Sequence, residues 1–582
     1  MRKGGSDNAI RAVQKWFKES VIYENEPYII DYEQAAAVAD DSLNTIVVAR
    51  AGSGKTRTLV AKLVYLVARC GIKPDEIMAF VFNANAAKEI NERLAKMRVD
   101  GMAVIEEGAN IASTFHAFAR NIVYKVCQGQ KKCGKILAGE KEAYVLEIVK
   151  RMMKETEWRQ KMVFFVKGET VNKEVLDEEE LDKFAKMMAQ FINRAQQKYL
   201  GGEMTVGEVA KNYLDNKDIS EREKVFIELG VECFRRYHWY LLSAKDGLAG
   251  FQEYGTDFNL IVSWASKLIA SGRPEVIGLL GNKKYVLIDE YQDFSQLFLA
   301  AVEAIRSVAV EAKLFVVGDD WQAINRFAGS DVEYFKEFEK FFPDRSKRLG
   351  ISTNYRCDYT VVDTARKFMR RSMKEKGHFK PFSKDAGVVF VVNPKKTSLN
   401  YAYVDYDNRV SFEDKVYKEA AWRLKHTVPN KKVTRYLKTV VEVIKECHRC
   451  KEIMILHRNN EINISSTSLE RLSDTLRWCL DRLGVMTEAE FESKVRIMTM
   501  HKSKGLEAEA VIILEADEGV IPKTHPDTLL YGIFGETEEI ALSDQKRLFY
   551  VAMTRAKRRL FILSEGGGFV KYLGRGVEKW GE

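Results

Sequence analysis

The 582-residue sequence has no apolar run near the ~18 residues of a membrane span. Met1 to Ser20 is charged throughout and lacks the apolar core of a secretory leader. Both features point to a cytoplasmic protein without a membrane partner. Eight cysteines in a chain this long are too sparse for a disulfide framework and fit reduced thiols. The tightest group, Cys447-His-Arg-Cys450, has no second pair at zinc spacing, and Cys479 alone cannot complete a tetrahedral site. Only nine prolines and 37 glycines are scattered along the chain, so no Pro-rich or Gly/Ser-rich tether separates its domains. There is no low-complexity tract. What is present excludes disorder: 46% hydrophobic and 30% charged residues, with length for roughly three to four domains at ~150 residues each. The net charge of +9 permits a polyanionic partner without requiring one.

Short Val/Ile/Leu-rich runs recur at Thr45–Ala49, Tyr285–Ile288, Leu314–Val317, Ile453–Leu456, Val495–Met500, Ala510–Leu514 and Leu560–Leu563. Separated by long amphipathic stretches, they predict strands buried on both faces of parallel sheets, an α/β architecture. Ligands of such sheets bind beyond the carboxyl ends of the strands, so the residues just after each run carry the interest. Residues 121–255 break the alternation and read as an inserted helical domain; 461–494 are short and mostly helical. Ile10, Val13, Phe17 and Val21 at helical spacing predict an N-terminal helix packed on the body.

After the first run stands Ala49-Arg-Ala-Gly-Ser-Gly-Lys-Thr56, followed by an apolar helix from Leu59 to Val67. Strand, glycine loop, Lys-Thr and helix are the arrangement in which backbone N–H groups and a helix N-terminus cradle phosphates. Gly52 and Gly54 let the backbone approach the oxygens, Lys55 reaches the β and γ phosphates, and Thr56 offers its hydroxyl to magnesium. The strict pattern has glycine where Ala49 sits. A second run, Tyr285-Val-Leu-Ile-Asp-Glu-Tyr-Gln-Asp293, ends in carboxylates. Alone it is compatible with a solvated acidic turn; paired with a phosphate loop it assigns Asp289 to metal and Glu290 to the attacking water. Arg356 in Asn-Tyr-Arg-Cys357 and Arg555 in Thr554-Arg-Ala556 are candidates to stabilise charge on the γ phosphate, although spacing alone does not separate them from surface arginines.

The order of these segments resembles the UvrD/Rep group of superfamily 1 helicases across nearly the whole chain. Gln34 in Tyr-Glu-Gln-Ala resembles the glutamine that reads adenine. Phe82-Asn-Ala-Asn-Ala-Ala-Lys-Glu-Ile90 and Ser113-Thr-Phe-His-Ala-Phe118 resemble two strand-binding motifs. Gly318-Asp-Asp-Trp-Gln-Ala-Ile-Asn-Arg-Phe-Ala-Gly329 resembles the coupling motif, with Gln322 sensing the γ phosphate and Phe327 stacking on a base. His457-Arg-Asn-Asn460, Thr499-Met-His-Lys-Ser-Lys-Gly-Leu-Glu507 and Arg547 to Ala556 complete the order. The resemblance implies two RecA-like parallel-sheet domains with ATP and Mg2+ in the cleft between them. Residues 1–120 and 256–345 would form the first, 121–255 a helical insertion, and 346–460 with 495–582 the second. Lys55, Glu290, Gln322, Arg356 and Arg555 would be catalytic, Thr56 and Asp289 would hold the metal, and Gln34, Ala51, Gly52, Ser53, Gly54, Arg57 and Glu507 would complete the nucleotide site, Glu507 near the ribose. Phe82, Thr114, Phe115, His116, Asn325, Phe327, Thr499 and His501 would meet DNA, with Phe82, Phe115 and Phe327 as stacking rings.

Departures from the family pattern are also visible. Asn325 stands where tyrosine is usual, Ala328 where many members have arginine, and Asp544-Gln545 where an acidic pair precedes the last motif. Trp321 is the variant of compact members similar to DNA helicase IV. The large 2B domain of UvrD and Rep is largely absent, its place taken by the 34 residues 461–494. The segment Phe234-Arg-Arg-Tyr-His-Trp-Tyr-Leu241 reads either as a DNA guide or as a buried helix face. The expected activity is an ATP-dependent 3′–5′ translocase on single-stranded DNA that unwinds 3′-tailed duplex in repair or recombination, with a possible loading or nuclease partner. The alternatives are an ATP-dependent remodeller of a complex such as a transcribing polymerase, and the motor subunit of a defence or helicase-nuclease assembly.

Overall fold

The computed structural model describes residues 3–106, 108–126, 135–136, 141–168, 175–202, 204–242, 255–374, 377–395, 412–425, 431–523, 526–574 and 577–580. The chain forms two units, one of residues 1–49, 55–351 and 526–538, the other of 50–54, 352–525 and 539–582.

The first unit is built on six strands: β1 (Asn44–Ala49), β2 (Ile77–Val81), β3 (Ala112–Thr114), β4 (Tyr285–Ile288), β5 (Lys313–Gly318) and β6 (Ser346–Ile351). All pair in parallel, in the spatial order β6-β1-β5-β4-β2-β3. β4 is buried along its whole length, as its unbroken apolar run predicts. Because β1, β5 and β4 are neighbours, the loops after Ala49, Gly318 and Ile288 emerge side by side at one edge. β6 completes this sheet beside β1, so the first domain extends to Ile351 rather than 345. The N-terminal helix Lys3–Ser20 places Val13 and Phe17 in the core, and Val21 begins a short strand instead of a further helical turn.

The helices Lys141–Met152, Thr156–Lys167, Glu178–Tyr199, Val206–Asn216 and Glu221–Leu242 form the insertion, with a core including Val145, Phe184, Phe191 and Phe226. The insertion begins later than residue 121, because the helix Phe115–Val126 puts Ile122 and Val123 into the core of the sheet. Of the segment 234–241, Tyr237 and Leu241 are buried in the insertion core, while Arg235 and Arg236 pair with Glu232 and Arg236 also with Glu155. The buried-face reading holds for Tyr237 and Leu241, whereas Arg235 and Trp239 are exposed.

The second unit has its own parallel sheet of β7 (Val388–Val392), β8 (Ile453–His457), β9 (Val495–Thr499), β10 (Ala508–Ile513), β11 (Ala556–Leu563) and β12 (Glu578–Trp580), in the order β9-β8-β10-β11-β7-β12. Residues 461–494 are the crossover between the neighbours β8 and β9 and part of the unit's core. Ser468 accepts from Arg471 N (3.2 Å) to cap the helix Leu469–Arg482, and its Leu472, Leu476 and Leu480 recur at helical spacing on the buried side. Cys447, Cys450 and Cys479 are buried free thiols, and no cluster of metal-ligating side chains occurs among the described residues.

Leu476→Ala is expected to destabilise the protein by ~2–5 kcal/mol in equilibrium denaturant unfolding, the cost of truncating a fully packed leucine. A loss below ~0.5 kcal/mol, the range of surface substitutions, would mean that 461–494 is an appendage.

Candidate functional site

The loop after β1 turns twice through backbone conformations reserved for glycine, with Gly52 at φ +67° and Gly54 at φ +82°. Ser53 N donates to Arg50 O (3.0 Å), and the helix Lys55–Val64 starts directly after. The N–H groups of this first turn and the preceding loop are the donors an anion requires.

Where β4 ends, Thr56 Oγ1 donates to Asp289 Oδ2 (3.0 Å), and Lys55 Nζ lies 3.1 Å from Glu290 Oε2 and 3.3 Å from Gln322 Oε1. Five residues from three loops predicted for one site are thus in direct contact. Burial pushes the Asp289 carboxyl above its ordinary value, the charge of Glu290 adds to this, and Lys55 opposes both. Such a carboxylate favours a nearby cation. Glu290 sits in the left-handed region at φ +50°, a conformation costing a non-glycine residue ~1–3 kcal/mol and typical of sites where the side chain's aim matters. Two residues to which the sequence assigned no role connect the loops. Gln292 donates through Nε2 to Glu290 and accepts through Oε1 from Asp319 N (2.8 Å), while Asp319 accepts from Gln322 Nε2 (2.7 Å). Gly318 is required here, because a Cβ would lie 2.6 Å from Gln292 Oε1.

Gln34 is buried in a reciprocal cap with Asp31, each side chain accepting from the other's backbone N–H. Arg57 donates to Ile29 O through Nε (3.1 Å) and Nη2 (2.8 Å), and its guanidinium lies 4.1 Å from the centre of the Tyr28 ring.

Within the second unit, Asn354 accepts from the N–H groups of Arg356 (2.8 Å) and Cys357 (2.6 Å) and donates to Ala51 O (2.7 Å); Tyr355 N donates to Gly52 O (2.9 Å). A Cβ on Gly52 would fall 2.6 Å from Asn354 Nδ2, so this glycine serves protein packing as well as the expected access of phosphate. Arg356 Nε donates to Glu507 Oε2 (2.7 Å), and Lys557 holds the other oxygen (2.8 Å). Burial raises the Glu507 carboxyl, but Lys557 and Arg356 outweigh it and hold the group below its usual range. Arg555 is buried and donates to Val551 O, Leu506 O and Thr554 Oγ1, while Arg356 Nη1 lies 3.5 Å from Thr554 O. The two predicted arginines therefore converge on Thr554.

The strand-contact candidates divide. Phe327 is 54% exposed on the turn Arg326–Ala328. Phe115 is a correction: only 2% exposed, it is stacked between Phe80 (4.2 Å) and Phe298 (4.6 Å), so both ring faces are covered and it cannot stack on a base. Phe82 turns its edge against Phe298 (5.6 Å), and His116 rests on Phe258 and Phe298. Asn325 Nδ2 donates to Asp293 (3.0 Å), and Thr114 Oγ1 accepts from Ala117 N (3.1 Å). Thr114 also lines a groove of about 890 Å³ with Lys88, Asn91, Lys96 and Ser113. In the second unit Thr499 Oγ1 accepts from Lys502 N (3.4 Å). His501 is lowered to about 4, first by burial and then by Arg458 and Lys504, which makes its imidazole neutral at pH 7.

Residues 30–343 match the model of the UvrD/REP helicase N-terminal domain, and residues 413–565 that of the UvrD-like helicase C-terminal domain. The chain belongs to the UvrD/Rep helicase family. Among its relatives, DNA helicase IV of Escherichia coli (strain K12) is 25% identical over 546 residues, 91% of this chain and 67% of that protein. A probable DNA helicase of Mycoplasma pneumoniae is 24% identical over 542 residues, covering 92% of this chain and 83% of the relative. ATP-dependent DNA helicase PcrA of Staphylococcus aureus is 25% identical over 348 residues, 59% of this chain and 40% of PcrA. The protein is accordingly an ATP-dependent DNA helicase. Among the described residues, no helix is long and apolar enough to cross a membrane.

Two substitutions separate binding from chemistry at this helicase's phosphate site. Lys55→Ala is expected to lower DNA-stimulated ATP hydrolysis by ~10²–10³, as removal of one donor to developing charge does. Glu290→Gln is expected to lose ~10²–10⁴ while retaining nucleotide binding, read by a fluorescent ATP analogue. Native turnover in either variant would remove the assignment.

Proposed function

We propose that this helicase moves 3′ to 5′ on single-stranded DNA, opens duplex carrying a 3′ tail, and acts in DNA repair or recombination. The observation that carries the reading is the convergence of Lys55, Thr56, Asp289, Glu290 and Gln322 at the same strand edge from which the coupling turn bearing Phe327 follows. Polarity and pathway rest on family membership.

In this reading Lys55 and the N–H groups of Ala51, Gly52 and Gly54 receive the triphosphate, Ser53 shapes the loop around it through its bond to Arg50 O, and Gln34 and Arg57 address the base. Thr56 and Asp289, a hydroxyl and a buried carboxylate already in contact, fit a magnesium ion. Magnesium, when bound, neutralises phosphate charge. Glu290 orients the attacking water, and its left-handed backbone and the Gln292 amide fix its direction. Gln322, bonded to both Lys55 and Asp319, reports the γ phosphate to the turn at Phe327. On family membership, Arg356, Arg555 and Glu507 are the nucleotide residues of the second unit.

On the DNA side, stacking of a base on one aromatic ring contributes ~1–3 kcal/mol, weak enough to be made and broken in each cycle. Phe327 supplies that ring, Thr114 and Thr499 contact phosphates, and His501 contacts the strand as a neutral donor. Opening one base-pair step costs ~1.4 kcal/mol on average, so a motor stepping on one strand opens a fork without a separate melting site.

Strand displacement from substrates with single 3′ or 5′ overhangs tests polarity; unwinding confined to 5′ overhangs would overturn it. Phe327→Ala is expected to preserve basal hydrolysis and to reduce nucleotides advanced per ATP.

Protonation of His501 supplies an independent check. Its folded value near 4 lies below the ordinary 6.5, so the ratio of native to His501→Asn affinity for single-stranded DNA is expected to stay flat from about pH 5.5 to 8. A rise in that ratio on acidification through 6.5 would mean that a charged imidazole makes the contact. By linkage the same depression leaves the unfolded chain binding more protons between about 4 and 6.5, so this group's contribution to stability falls as pH drops through that window.

A further inference from the structure

Residues 526–538 lie in the sequence between β10 and β11 of the second unit yet fold into the first. They dock on the helical insertion. Phe534 meets Phe191 edge to face (4.9 Å), Tyr531 meets Phe226 (5.3 Å), Lys198 donates to Phe534 O (2.9 Å), and Tyr199 donates to Ile533 O (2.9 Å). The approach at Gly532 is close enough that a Cβ would fall 2.3 Å from Tyr213 Oη.

At the end of this strap, Glu536 Oε1 lies 3.0 Å from Arg194 Nη1 and 3.4 Å from Arg326 Nε. These side chains are only 10%, 12% and 16% exposed, so replacing Glu536 withdraws a largely buried counter-charge from Arg194 and Arg326, leaving Arg326 with Asp331 at 3.7 Å. Both arginines hold the turn that carries Phe327. Arg194 Nε donates to Phe327 O (3.3 Å), and Arg326 is the residue before it. Asn193 donates to Ala328 O (3.3 Å), and Gly329 is pressed against Gln197, where a Cβ would fall 2.4 Å from its Cβ. The backbone around Phe327 is thereby clamped by the insertion helix Glu178–Tyr199 on one side and the strap on the other, while the ring stays exposed.

We infer that Glu536 is a positioning residue, acting through Arg194 and Arg326 to hold Phe327 where it meets the strand, and that the strap keeps ATP hydrolysis coupled to movement. The inference rests on the assignment of Phe327 to the strand. The strap leads directly into the helix Glu538–Met553, which precedes Arg555.

The experiment measures ATP consumed per nucleotide advanced on single-stranded DNA, DNA-independent hydrolysis, and the unfolding midpoint for Glu536→Gln, Phe327→Ala and the double variant. Glu536→Gln is expected to raise ATP consumption per nucleotide ~3- to 10-fold, within the range of couplings between contacting residues. DNA-independent hydrolysis should stay native. Glu536→Asp, which keeps the charge, should restore most of the coupling, and Arg194→Gln should behave as Glu536→Gln does. Because Glu536 acts through Phe327, the double variant should be no worse than Phe327→Ala alone. Native coupling in Glu536→Gln, or losses that multiply in the double variant, would overturn the positioning role while leaving the Phe327 assignment intact. Native coupling in Phe327→Ala would overturn that assignment and the inference with it.

Discussion

The ammonium of Lys55 is the charge on which the phosphate site depends. Two consecutive acids close β4, and burial of Asp289 together with the charge of Glu290 opposes ionisation of Asp289. Lys55, 3.1 Å from Glu290, supplies the local compensation available in the protein itself. It can do so only because β1, β5 and β4 are neighbours, so the helix after the first strand starts within reach of the acids after the last. Strand order thus becomes electrostatics. The chain of amides and carboxylates through Gln292, Asp319 and Gln322 then makes the three loops one hydrogen-bonded body.

The second unit repeats the principle with opposite sign. Here the crowded charges are Arg356 and Lys557, and the compensating anion is Glu507, held ionised by these neighbours against burial. A residue expected only near a ribose therefore has a second task as the counter-charge that orients Arg356. Replacing it would leave Arg356 without that counter-charge.

How much of this was legible follows from the kind of interaction involved. Tyr285–Ile288 and Ile453–His457 announce themselves because a strand covered on both faces must be continuously apolar. Ile77–Val81 and Val388–Val392 carry the same signal and belong with them. Ser346–Ile351 does not: an edge strand with exposed residues along most of its length has no such requirement, and its partner β1 lies about 300 positions earlier. That Lys55, Thr56, Asp289, Glu290 and Gln322 would come together was legible because each stands at a fixed offset from a strand end. Phe115 was not, since the choice between a base and the two rings that sandwich it is made by Phe80 and Phe298 on other elements. Nor was Glu536, a single carboxylate whose partners Arg194 and Arg326 come from two distant segments.

The same reasoning explains why the chain does without a large domain between β8 and β9. Two parallel neighbours need a crossover of a dozen or more residues, usually helical. Here 461–494 supply it with the helices Leu469–Arg482 and Glu488–Lys494, whose Leu472, Leu476, Leu480 and Phe491 cover the sheet. The short antiparallel pair of Glu461–Ile462 with Thr467–Ser468 carries the chain from β8 into the first of them. His457 at the end of β8 is fixed by Glu515, whose carboxylate also accepts from Asn463 and Ile464, so the start of the crossover is tied to the end of β10 by hydrogen bonds. The buried side of the connection thus belongs to the core of its own unit.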